Sequence, residues 1–175
     1  MIQRFQWKPL LEVGKGKAYE CVPTDGGIYC IKTGRPGKPP DLAKSKYDRS
    51  PYMQALRQLE RKTTEFYDRL CLASDWVVKE GSGLAERRLK RLEKIPLGEG
   101  SCSILYFGST SNLRHRMDQL LYGGHTANYP IWALLEGDWE LDYGWTENDD
   151  YAEQERELKD AYRLDHDGLP PLMDR

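Results

Sequence analysis

Nowhere among the 175 residues is there a run approaching 18 consecutive apolar positions, the length a membrane-crossing helix needs. The opening Met-Ile-Gln-Arg-Phe-Gln-Trp-Lys contains nothing like the apolar core of a secretory signal. The expectation is therefore a cytoplasmic protein with no membrane partner. Cysteine is scarce: Cys21, Cys30, Cys71 and Cys102 form no Cys-x-x-Cys pair, and there are only three histidines. A zinc cluster is not expected. A chain of this length can bury a full core without disulfides, so Cys30 and Cys102 read as reduced thiols in strands. Net charge is also small, at −2, but unevenly spread. Residues 31–100 hold 16 Lys/Arg against 10 Asp/Glu, and residues 101–175 hold 6 against 15. The basic middle suits phosphates, and the acidic end suits a metal ion or plain solvation.

With 39% hydrophobic and 31% charged residues the composition is that of one globular domain. Residues 1–25 carry apolar anchors without periodicity and read as a wrapping segment. After the Asp25-Gly26-Gly27 turn, residues 28–31 read as a strand. Residues 33–51 are rich in proline and glycine and read as a loop. Residues 52–74 and 84–94 read as helices. An unstructured link of more than about 60 residues is improbable in a compact domain, so residues 33–100 are expected to be a basic, mainly helical insertion. Arg87, Arg91 and Lys94 recur at i, i+4 and i+7 on one helix face and are the candidate nucleic-acid contacts there. A second strand is expected over residues 103–108, and a helix after Asn112 with Leu113, Met117, Leu120 and Leu121 as its apolar stripe. Residues 129–135 read as a helix, residues 139–145 as a third strand and residues 151–164 as a last helix. Period-two alternation puts Tyr29 and Ile31 on one face of the first strand, and Ile104 and Tyr106 on one face of the second.

Gly27-Ile28-Tyr29 and Tyr106-Phe107-Gly108 stand at the heads of this pattern. They are followed by Asn112-Leu113-Arg114-His115-Arg116-Met117, by a late helix with Glu155 and Leu158, and by Gly168-Leu169-Pro170-Pro171-Leu172. In that order the chain resembles the GIY-YIG nuclease family over residues 22–32 and 101–173. It departs from the family pattern in three places. Phe107 stands for isoleucine, 76 residues separate Tyr29 from Tyr106, and Met173 stands where the family carries asparagine.

The resemblance implies an α/β fold, a small, mostly antiparallel three-stranded sheet flanked by helices, in a single domain over residues 1–175. The helical insertion lies between the first two strands. It further implies a divalent-metal-dependent endonuclease, of compact restriction or phage type, that hydrolyses phosphodiester bonds in DNA, with RNA also open. The implied cofactor is Mg²⁺ or Mn²⁺. Tyr29 becomes general base or water positioner, Tyr106 a second phenol, Arg116 the phosphate clamp, His125 a substrate contact or proton relay, and Glu155 the metal ligand. Arg114, two residues from Arg116, is a further nucleic-acid contact. The alternative, favoured by Met173, is a catalytically weakened nucleic-acid-binding protein on the same scaffold.

The residue types suit that chemistry. Phosphodiester hydrolysis needs an oriented water, charge stabilisation on the phosphate and an electrophile for the leaving oxygen. A tyrosine acts as base only if its pKa of ~10 is lowered by a nearby cation or metal. A guanidinium offers a planar fork to phosphate oxygens. At ~100° per residue Glu155 falls ~60° from Leu158, on the margin of the last helix's buried face. A hard carboxylate there suits Mg²⁺ or Mn²⁺. The rival use of Glu155 is an i,i+4 salt bridge to Lys159.

Overall fold

The computed structural model describes residues 4–37, 91, 102–122, 125 and 127–173. Most of the predicted insertion, with the helix over residues 52–74 and nearly all of that over 84–94, lies outside the described residues. The described chain is α/β. Its elements are β1 (Gln6–Pro9), α1 (Leu10–Val13), α2 (Gly16–Cys21), β2 (Gly27–Arg35), β3 (Ile104–Thr110), α3 (Leu113–Tyr122), α4 (Asn128–Glu136), β4 (Glu140–Glu147) and α5 (Tyr151–His166).

Four strands form one sheet in the order β1-β4-β2-β3, and every pairing is antiparallel. This corrects the expectation of three strands. The extra strand is β1, within the segment read as wrapping. Its four residues are too few to show an alternation, and its partner β4 lies near the other end of the sequence, with Trp7 opposite Gly144. Pro9 ends β1, an edge strand, where a missing N–H removes no ladder bond from a second neighbour. β2 is central, flanked by β4 and β3, and residues 27–31 are all buried. An unbroken buried run of this kind belongs to a strand covered on both faces.

Helices α1, α3 and α4 cover one face, where Leu10, Val13, Tyr29, Ile31, Leu113, Met117, Leu134, Tyr143 and Trp145 make the larger core. Helix α5 covers the other, where Leu158 and Tyr162 pack against Cys30, Ile104, Phe107 and Met173. Tyr29 and Ile31 do share a face, with Cys30 on the opposite one. Ile104 and Tyr106 do not behave as expected. The β2–β3 register runs from Ile31↔Tyr106 directly to Lys32↔Ile104. Leu105 is thus an extra residue, a β-bulge, which turns Ile104 to the α5 side. The Leu105 carbonyl accepts the Leu172 N–H at 2.9 Å, which ties the end of the described chain to the bulge.

Two features fix α3, which carries the arginines. Asn112 caps it, its Oδ1 accepting the His115 N–H at 2.8 Å. The N–H groups of Leu113 and Arg114 donate to the carbonyls of Asp25 and Pro23, at 3.0 and 2.9 Å. The turn leading into β2 therefore satisfies donors that a helix start leaves open, and α3 is registered against the strand that holds Tyr29. Among the described residues no helix is long and apolar enough to cross a membrane.

Candidate active site

Three tyrosines from three adjacent strands form a stacked row on the α3 face. Ring centroids are 5.9 Å apart for Tyr106 and Tyr29, and 6.2 Å for Tyr29 and Tyr143. Tyr29 lies opposite Gly108. A Cβ at position 108 would sit 2.6 Å from the Tyr29 hydroxyl. Glycine at this point of the Tyr-Phe-Gly strand is what lets the phenol lie over the β3 backbone.

His125 follows α3 and closes over the two phenols. Its Nε2 is 3.5 Å from Tyr29 Oη and 3.4 Å from Tyr106 Oη. Its ring meets the Tyr106 ring edge-on. The Ala127 N–H donates to Nδ1 at 3.0 Å, so Nδ1 carries no proton. The ring proton is therefore on Nε2, which donates to the phenol oxygens. His125 Nε2–H is thus a long donor shared between the two hydroxyls.

The two candidate arginines diverge, as helix residues two apart point ~200° from each other. Arg114 donates from Nε to the Val22 carbonyl at 2.8 Å and from Nη2 to the Glu20 carbonyl at 3.0 Å. It also lies over the Tyr19 ring. It braces the end of α2 rather than presenting those donors to a nucleic acid. Arg116 turns toward the tyrosines, its Cζ 6.0 Å from the Tyr29 ring centre. Its Nε is buried and has no hydrogen-bond partner. A buried donor without a partner is costly.

Tyr29 is only 2% exposed. Burial pushes its pKa well above 10, the neighbouring Tyr106 adds to the rise, and the Arg116 charge offsets only part of it. As folded, Tyr29 is a neutral phenol and not a phenolate.

Glu155 sits at the outer edge of the sheet. Its Oε2 accepts the Ser109 N–H at 3.0 Å and also the Ser109 hydroxyl. Among the described residues β3 has a single sheet neighbour, β2, so an N–H that reaches α5 points away from the ladder. Glu155 thereby covers an open strand edge, beside the residue that follows Gly108. Its Oε1 accepts from Lys159 Nζ at 2.7 Å, the i,i+4 bridge that the helix spacing offers. Partial burial raises the carboxyl pKa, but the Lys159 and Ser109 hydrogen bonds outweigh it and hold the group below its ordinary 4.5. The carboxylate is ionised and oriented.

The structure thus gathers Tyr29, Tyr106, His125 and Arg116, with Glu155 at the adjoining sheet edge. Arg91 donates to the Met173 carbonyl at 2.5 Å. Arg87 and Lys94 lie outside the described residues. Met173 is 3% exposed and packs among Cys30, Ile104 and Phe107. Two partners were not evident from sequence. Tyr143 extends the phenol row, and only the β2–β4 register reveals it. Ser109 orients Glu155, and only the docking of α5 on the β3 edge reveals that. Among the described residues no group of three or more His, Cys, Asp or Glu forms a ready metal cage. Comparisons with protein-family models, with curated proteins and with solved structures find no match for this chain.

Proposed function

We propose that the chain is a divalent-metal-dependent endonuclease of the GIY-YIG type, hydrolysing phosphodiester bonds in DNA. The observation that carries this reading is the convergence of the Arg116 side chain and the His125 ring on the stacked phenols of Tyr29 and Tyr106. The guanidinium would stabilise charge developing on a phosphate held there. The phenols of Tyr29 and Tyr106, which share the His125 Nε2–H, would hold the attacking water on the phosphate. Burial of the cluster strengthens each of these interactions.

Glu155 fits a hard divalent ion of the Mg²⁺ class, which commonly takes one or two carboxylates and completes its shell with water and substrate phosphate. It is ionised, and Ser109 leaves Oε1 as the oxygen able to ligate. A divalent ion held there would supply Lewis-acid stabilisation of charge at the departing oxygen.

Met173 favours a second reading, in which the same scaffold binds nucleic acid with weakened catalysis. An apolar side chain fills the position where the resemblance calls for an amide, and it is buried away from water. A digest of supercoiled, linear and single-stranded DNA, and of RNA, separates the two. The nuclease reading predicts nicking and then linearisation of supercoiled DNA in Mg²⁺ or Mn²⁺, abolished by chelator. Retention of DNA without cleavage in either ion would reject it in favour of the second reading. Neither cleavage nor retention would reject both.

A further inference from the structure

Glu155 has two oxygens and three donors on them. Oε2 takes both the backbone N–H and the hydroxyl of Ser109. Oε1 is the one oxygen with capacity left, and the Lys159 ammonium lies 2.7 Å from it. The two side chains are 21% and 23% exposed, so the pair is sheltered and not a mobile surface contact. The i,i+4 spacing on α5 places Lys159 beside Glu155 in the free protein. A divalent ion approaching Oε1 meets this ammonium first. Two cations at one carboxylate oxygen repel strongly in a partly desolvated place. Oε1 can serve one of them at a time.

We propose that Lys159 is the resident cation of Glu155, and that a divalent ion binds by displacing it. The inference rests on the reading of Glu155 as the metal ligand, and adds to it a competitor built into the same helix. The exchange keeps the carboxylate neutralised and oriented when no metal is bound, and it keeps metal affinity low in the free protein. A phosphate oxygen in the cleft would favour the exchanged state, because it adds a ligand to the metal and gives the released ammonium an anion to face.

The test is direct binding of Mn²⁺, followed by loss of the free-ion EPR signal, with no cleavage step in the readout. Wild type is compared with Lys159→Met, Lys159→Arg, Glu155→Gln and the double variant Glu155→Gln/Lys159→Met. Lys159→Met should bind Mn²⁺ roughly tenfold more tightly or better, because the competing charge is gone. Lys159→Arg keeps the charge and should stay near wild type. The double variant should lose the gain. Lys159→Gln is a second neutral variant, used in place of Lys159→Met if far-UV circular dichroism shows the latter unfolded. Equal Mn²⁺ affinity in wild type and the neutral variants, with Glu155→Gln weaker than both, would overturn the exchange while leaving Glu155 as ligand. Unchanged affinity in Glu155→Gln would remove Glu155 as ligand, and the exchange with it.

Discussion

Arg116→Ala is expected to slow phosphodiester cleavage by about 10²- to 10³-fold, the usual cost of removing one preorganised charge donor from a buried site. It is also expected to leave the fold intact. Arg116 Nε is buried without a partner, so removing that atom breaks no hydrogen bond, and relief of its burial offsets the lost contact with the Tyr29 ring. The melting temperature should hold or rise while the rate collapses. Arg114→Ala should show the reverse. Its Nε and Nη2 bonds tie α3 to the carbonyls of Val22 and Glu20. Losing these two charge-assisted bonds should cost about 1–2 kcal/mol of stability, discounted for partial exposure, with a smaller effect on cleavage. Plasmid nicking and thermal unfolding of the two variants, measured side by side, check the pattern. A deadlier Arg114→Ala with unchanged stability would mean that the working arginine had been assigned to the wrong side of α3.

Gly27→Ala is expected to unfold the protein. A Cβ at this position would lie 2.2 Å from the Thr146 carbonyl oxygen, 2.9 Å from Leu113 Cδ1 and 3.1 Å from Glu147 Cα. Two of these atoms are backbone of β4. They cannot withdraw without breaking the central β2–β4 ladder, in which Gly27 pairs with Glu147. Overpacking of this kind costs about 3 kcal/mol or more, a large share of the roughly 5–15 kcal/mol that holds a domain together. Urea unfolding should show a chain largely unfolded or much less stable than wild type. Gly108→Ala provides the contrast, because its clash is with the Tyr29 phenol rather than with backbone. It should keep most of the fold and lose the site. Full stability in Gly27→Ala would show that β2 and β4 pair in some other register.

The fold and the candidate site are legible in the sequence only in part. β2, β3 and β4 could be read because each carries several β-forming residues bounded by turn chemistry. Helices α3, α4 and α5 could be read from their apolar spacing and from Asn112 at the head of α3, whereas α1 and α2, only four and six residues long, fall in the segment read as wrapping. Alternation was enough to turn Tyr29 and Ile31 to one side. It failed at Ile104 because a bulge is a fact of pairing between two strands, and neither strand shows it alone. β1 failed for a similar reason, since four residues gain strand character only from a partner far along the chain. Within the candidate site, helical geometry put Glu155 on the margin of its helix and offered Lys159 as a competitor for it. Ser109 could not be foreseen, because its role depends on which edge of the sheet α5 lies along. The choice between Arg114 and Arg116 rested in sequence on resemblance alone. In the structure it rests on the carbonyls that occupy one of them.

On the proposed function, phosphodiester cleavage takes place over the paired phenols of Tyr29 and Tyr106. The most direct test of this is the single-turnover rate of supercoiled plasmid nicking in Mg²⁺ by wild type and by Tyr29→Phe, a change that removes one hydroxyl from a ring otherwise kept in its stack. Wild type should nick the plasmid, and Tyr29→Phe should be slower by about 10²-fold or more if that oxygen handles the attacking water. Nicking by Tyr29→Phe at the wild-type rate would contradict the account.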